Sequence, residues 1–149
     1  MDNRRVKIFF PLEKDEDDYP PAEVESLWAT QRPHGYELDN IPFYAPGIAL
    51  GDVVEATVAP DGGLEFKRVI SRGGHSTYRI LLREPRPDDP QFTVNELKNH
   101  GLMVEISGSP RLLAVDVSPS LSLERIEEFL FAGEDSNRWG LQEGYRAGD

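Results

Sequence analysis

Two glycine-built breaks, Pro60-Asp61-Gly62-Gly63 and Arg72-Gly73-Gly74, constrain the fold more than any other feature of the chain. Each separates short runs rich in β-branched and aromatic residues, and tight turns between such runs join antiparallel neighbours. The runs are Asp52–Ala59, with Val54, Ala56 and Val58 on one face; Leu64–Ser71, with Leu64, Phe66 and Arg68 on one side; and Ser76–Arg83, carrying Tyr78, Ile80 and Leu82. Such a meander predicts a small, strongly bent antiparallel sheet or barrel. Val6–Leu12 adds a first strand and Tyr36–Asn40 another. Between those two, Pro20-Pro21 followed by Val24, Leu27 and Trp28 at i, i+3, i+4 spacing predicts a helix that ends at Pro33 and Gly35. Glu23 and Glu25 would then sit in its first turn, where acids complement the dipole.

The pattern changes after the proline- and aspartate-rich stretch Glu84–Pro90, which reads as a connector. Thr93-Val94-Asn95-Glu96 has the form of a capping box, flanked by Phe92 and Leu97 as a hydrophobic staple, and predicts a short helix stopping at Gly101. Leu102–Ile106 and Arg111–Val117 follow as strands around the turn Ser107-Gly108-Ser109-Pro110. Ser122 caps a second helix with the stripe Leu123, Ile126 and Leu130, ended by Gly133. The polar tail from Glu134 to Asp149, with Trp139, Leu141 and Tyr145 as anchors, reads as a last helix or a loosely docked segment. With Ser76–Arg83 as the preceding strand the order is β-α-β-β-α, most of a ferredoxin-like unit. The expected class is α+β: a small bent antiparallel sheet or barrel-like half over residues 1–83, packed on a ferredoxin-like half over 84–149, the two forming one compact unit.

Composition narrows the chemistry. The chain has 149 residues and no cysteine, which excludes a disulfide scaffold, a cysteine-based zinc or iron–sulfur site and a thiol nucleophile. Its formal charge of −11 argues against a nucleic-acid binder, which needs a basic footprint. No segment approaches the ~20 apolar residues that span a membrane, and the acidic run Glu13–Asp18 replaces any signal-peptide cleavage site, so the cytoplasm is the expected compartment. Arg68, Arg72, Arg79, Arg83 and Arg86 concentrate positive charge in the middle of an otherwise acidic chain.

The most suggestive polar run is Arg72-Gly73-Gly74-His75-Ser76-Thr77-Tyr78-Arg79. Two glycines let successive N–H groups form an anion-holding concavity, Ser76 and Thr77 add hydroxyls, and Arg79 adds a fork for a carboxylate or phosphate. The same run also suits a plain turn whose hydroxyls satisfy its own backbone. His75 and Ser76 are adjacent on a strand and point apart, so they do not form a catalytic pair. His34, His75 and His100 lack metal-ligand spacing, and neither a metal nor a cofactor is implied. Glu25, Asp39, Asn40 and Asp52 are candidates for a carboxylate cluster, although each residue type also favours the helix start or turn where it stands.

Four strings taken together, Glu25-Ser26-Leu27-Trp28-Ala29, Leu38-Asp39-Asn40-Ile41-Pro42-Phe43, Ala49-Leu50-Gly51-Asp52-Val53-Val54 and Gly74-His75-Ser76-Thr77-Tyr78-Arg79, resemble the bacterial family known as domain of unknown function 4265. Arg72-Gly73 departs from the Ser-Gly expected before the histidine. The resemblance implies a soluble bacterial protein and carries no assigned activity. Within the family pattern Trp28, Pro42 and Phe43 suit structural roles. Asn40, Asp52, Gly74, His75, Ser76, Thr77 and Arg79 are the candidate ligand- or partner-binding residues, and no residue stands out as catalytic.

Three functions follow as expectations. The first is a non-catalytic acidic binding protein, such as a toxin-neutralising (immunity-type) module, meeting a basic protein partner. The alternative is a sensor of a small anion or metabolite using the Gly74–Thr77 turn and Arg79. The most distant is a hydrolase or isomerase using His75 with a carboxylate, Asp52 or Glu25.

Overall fold

The computed structural model describes residues 4–83, 89–108 and 111–148. Most of the Glu84–Pro90 connector with Arg86, and Ser109-Pro110 of the second-half turn, lie outside the described residues. The class is α+β: two antiparallel-dominated sheets and two helices.

Five strands close into a barrel: β1 (Arg5–Pro11), β2 (Val24–Arg32), β3 (Gly35–Leu38), β4 (Val53–Val58) and β5 (Leu64–Ser71). Successive strands pair antiparallel, and a short parallel pairing of β1 with β5 closes the ring. Alternate residues fill the interior: Ile8 and Phe10 from β1, Leu27 and Ala29 from β2, Val54 from β4. Phe10 stacks on Phe66 with centroids 4.7 Å apart.

The region read as a first helix is β2. Its burial alternates strictly, with Glu25, Leu27 and Ala29 inward and Val24, Ser26 and Trp28 outward. A buried glutamate in the inner row disguised the period-two pattern. Trp28 lies on the outside beneath Arg5 and Lys7, 4.8 and 5.0 Å from its ring. The return strand also differs in detail. Glu55 pairs with Arg68 but Ala56 with Phe66, so a bulge falls at Lys67 and the inward row switches to Val69. Arg68 is left outside in an exposed pair with Glu55.

Arg72-Gly73-Gly74 is not a hairpin turn. It carries the chain from the barrel into a second sheet of order β7-β8-β6-β9, so the change of sheet falls before Ser76, earlier than a division at 83/84. This sheet comprises β6 (Ser76–Leu82), β7 (Met103–Ile106), β8 (Leu112–Val117) and β9 (Trp139–Tyr145). Helix α1 (Asp89–Asn99) links β6 to β7, and α2 (Leu123–Asp135) links β8 to β9. Both β6 and β7 run antiparallel to β8 between them; β8 and β9 flank β6 in the same way.

Three local expectations change here. Thr93 lies inside α1 and is buried, and Phe92 is exposed, so the predicted capping box is interior helix and its staple is absent. Ser122 does cap α2, its Oγ accepting from the Arg125 N–H. Gly133, however, does not stop that helix. A Cβ at this position would lie 2.0 Å from Cζ2 of Trp139, so glycine is what lets the buried indole lie against the helix and donate to the Leu130 carbonyl at 3.0 Å. The tail holding Trp139 is therefore neither helical nor loose: it is the edge strand β9, and Trp139 is fully buried.

The second core lies between this sheet and its helices. Tyr78, Ile80 and Leu82 of β6 and Leu113, Val115 and Val117 of β8 meet Val94, Leu97, Ile126 and Leu130. The alternate residues of the same two strands, Thr77, Arg79, Ala114 and Asp116, are equally buried but point the other way. Thr77 and Arg79 bond to the barrel's 42–52 loop and Asp116 to the connector, so the seam between the two sheets is polar.

Candidate functional site

The seam is organised around one loop. Glu25, at the inner row of β2, accepts from the N–H groups of Phe43 (2.6 Å), Tyr44 (3.1 Å) and Ala45 (2.8 Å). From the opposite side Arg79 of β6 donates to the carbonyls of Pro42 (Nε, 3.3 Å) and Ala45 (Nη2, 2.7 Å). A carboxylate on the N–H side and a guanidinium on the carbonyl side thus clamp residues 42–45, and the two buried charges compensate each other through the peptide dipoles. Burial lowers the Arg79 guanidinium from its ordinary value, and the Glu25 charge opposes that shift.

Arg79 has five N–H donors. Its third protein contact, Nη1 to Gln142 Oε1, is long at 3.5 Å, and among the described residues no carboxylate forms an ion pair with it. Two of its donors therefore have no acceptor among the described residues, and Arg79 lines a cavity of about 470 Å³. Tyr19, Pro21 and Tyr44 supply the barrel side of that cavity; Leu81, Arg83 and Leu112 the sheet side; Gly140 and Gln142 the β9 side. Strand β9 is built for this. A Cβ at Gly144 would lie 3.1 Å from Cζ of Arg79, and one at Gly140 would lie 3.5 Å from Nη2 of Arg83, so both glycines leave room for guanidinium groups. Tyr19 and Tyr44 meet edge to face at 6.0 Å. The Tyr19 hydroxyl is raised from its ordinary value, chiefly by burial.

The other candidates occupy a second stretch of the seam. Asp52 is fully buried and accepts from the Ala49 N–H (3.0 Å), Arg72 Nη1 (3.0 Å) and the Gly73 N–H (3.1 Å). It ties the barrel loop to the connector. Gly74 has φ +88° and packs against Pro119. His75 Nδ1 lies 2.8 Å from Oδ2 of Asp116, so the carboxylate it meets is neither Asp52 nor Glu25. Asp116 is held above the usual carboxylate range by burial, opposed by the His75 hydrogen bond, and its Oδ1 has no partner among the described residues. Ser76 Oγ accepts from the Ala147 N–H at 2.9 Å, and Thr77 Oγ1 donates to the Ile48 carbonyl at 3.2 Å. Both hydroxyls of the run are thereby engaged within the protein. Asn40 stands apart, its Oδ1 accepting from the Trp28 N–H at 2.7 Å, and Asp39 pairs with Arg5. The carboxylates weighed as a cluster are dispersed over separate tasks.

Of the expected residues, then, Arg79 reaches a cavity, and Asp52, Gly74 and His75 line the connector beside it. Tyr19, Tyr44 and Gln142 were missed; the only sequence signal for them is the spacing Gly140-x-Gln142-x-Gly144, which leaves one face of a strand without bulk.

This geometry has relatives. The profile of a family described as a domain of unknown function (DUF4265) matches residues 25–141. The chain belongs to that family. The match takes in β2 with Glu25, the clamped loop, Arg79 and most of the cavity wall. Among curated proteins none matches the chain. Its structure is similar to the crystal structure of a hypothetical protein from Neisseria gonorrhoeae, with a TM-score of 0.77 and 21% identity over 100% of both chains. That likeness is one of fold.

Proposed function

We propose that this DUF4265 protein binds a small organic anion or metabolite in the cavity beside Arg79. The observation that carries the reading is a buried guanidinium with two unused donors at the wall of a ligand-sized space. Small-ligand sites combine an apolar lining with a few placed polar groups, and this one joins Pro21, Leu81 and Leu112 to Arg79, Arg83 and Gln142. The reading keeps Arg79 from the sensor expectation and replaces the Gly74–Thr77 turn as the anion's seat, because the hydroxyls there are spent on Ala147 and Ile48. We further infer that β6-α1-β7-β8-α2-β9 is a ferredoxin-like unit, with β9 completing the expected β-α-β-β-α order.

The test is a thermal-shift screen of the full chain with carboxylates, amino acids, nucleotides and phosphorylated metabolites. A ligand at a hundredfold excess over its Kd stabilises by about 2.7 kcal/mol and raises the melting temperature visibly. Arg83→Ala, on the exposed rim, is expected to weaken the shift without unfolding the protein. A screen in which no anion shifts the melting temperature sinks the reading. The reading as an acidic protein that meets a basic partner ranks second and draws on the exposed run Glu13–Asp18. Recovery of a basic protein in a salt-sensitive pull-down, with no anion binding, would reverse the order.

A further inference from the structure

The Arg79 cavity shares part of its lining with a second space. A cleft of about 510 Å³ adjoins it and shares Tyr19, Tyr44 and Gln142 as lining. The far end of this cleft has a different chemistry: Leu12, Pro20 and Pro46 surround the stacked rings of Phe10 and Phe66. Passing along the two spaces, the wall changes from guanidinium to aromatic and aliphatic. The charged lining changes too, from Arg83 with Glu134 at one end to Glu13 and Asp15 alone at the other.

We propose that the two spaces form one elongated site for an unbranched carboxylate of medium chain length, its head at Arg79 and its tail on Phe10 and Phe66. This rests on the anion-binding reading above and adds the class of ligand. Three observations select it. The two spare Arg79 donors belong to a planar fork, which matches a carboxylate. Glu25 already offsets much of the Arg79 charge, so the site complements a monoanion better than a phosphate dianion. Glu13 and Asp15 at the tail end have no cation beside them in the lining, whereas Glu134 at the head end stands with Arg79 and Arg83, so the charge difference directs the carboxylate toward Arg79.

Calorimetry of the full chain with butyrate, octanoate and decanoate tests this. Each methylene transferred from water to an apolar wall raises affinity about fourfold, so octanoate, with four more methylenes, is expected to bind roughly 250-fold more tightly than butyrate. Pro46→Asp, at an exposed loop position, is expected to weaken decanoate at least about tenfold and butyrate less than about twofold, following the same burial argument. Should that variant lose its fold, nuclear Overhauser contacts between the decanoate methyl and the rings of Phe10 and Phe66 in the unmodified protein serve instead. Equal affinity for butyrate and decanoate, or a terminal methyl far from both rings, overturns the elongated site and leaves anion binding at Arg79 standing. Failure of all three acids to bind, with phosphate or amino acids binding at Arg79, overturns this inference alone. Failure of every anion overturns both.

Discussion

Apart from the cavity wall at Leu81 and Leu112, the two faces of β6 and β8 are both buried and composed in opposite ways. Toward the helices stand Tyr78, Ile80, Leu82, Leu113, Val115 and Val117. Toward the barrel stand Thr77, Arg79, Ala114 and Asp116. An apolar face needs only volume and pattern, and many residues can supply both. A buried polar face needs a named partner for every donor and acceptor, because each one left unpaired costs about 1–3 kcal/mol. The first face therefore carries stability, and the second carries geometry: it fixes the 42–45 loop, the connector and the cavity wall.

The largest expected effect is on the apolar face. Leu113→Ala leaves a void in a fully buried position and is expected to cost about 2–5 kcal/mol in urea denaturation, while leaving ligand affinity unchanged in whatever fraction stays folded. An affinity loss in folded protein would break the division of labour. Glu25→Gln acts on the other face. It removes the charge that offsets Arg79 and an oxygen that answers the 43–45 N–H groups, with an expected cost of about 1–3 kcal/mol, while anion affinity in the protein that stays folded is kept or raised because less of the Arg79 charge is offset. Gly133→Ala, with its 2.0 Å approach to Trp139, is expected to cost about 1–3 kcal/mol and to shift the tryptophan emission.

Titration separates the faces by sign. On the helix side Glu127 accepts from the Tyr78 hydroxyl and a two-pronged Arg146, at 2.8 and 3.1 Å, and is held below its ordinary range mainly by Arg146. A depressed carboxyl stabilises above its unfolded value and loses that contribution as pH falls through its folded value. On the barrel side Asp116 is raised, chiefly by burial. Its contribution is complete below the unfolded value and is lost as pH rises through the folded one. Denaturation midpoints over the carboxylate range are expected to lose acid sensitivity in Glu127→Gln and to lose the opposing slope in Asp116→Asn. The same sign for both variants would contradict the contrast.

How far these features were legible follows from the same contrast. The barrel could be read because its turns are punctuated by glycine and its inner rows are mostly apolar. Strand β2 could not, since Glu25 occupies an inner position and Val24, Leu27 and Trp28 happen to fall at helical spacing. Strand β9 was hidden because Gly140 and Gly144 lower its apparent propensity for a reason visible only opposite Arg79 and Arg83. Of the site, Arg79 was legible as a charge beside a glycine-rich run. The cavity was not, because its walls come from the Tyr19 loop, the Tyr44 loop, β6 and β9, and nothing local links them.

The smallest expected effect lies off both faces. Arg68→Ala removes an ion pair whose side chains are 66% and 45% exposed, and is expected to change stability by less than about 1 kcal/mol and binding not at all.

The most direct measurement is the nitrogen-15 spectrum of the arginine side chains during titration with butyrate. If the spare donors of Arg79 receive the anion, its Nε and Nη signals shift and saturate while those of Arg68 stay in place. If the Arg79 signals do not move at millimolar ligand, or move no more than those of Arg68, the polar face serves only to join the two sheets and the account of the cavity is wrong.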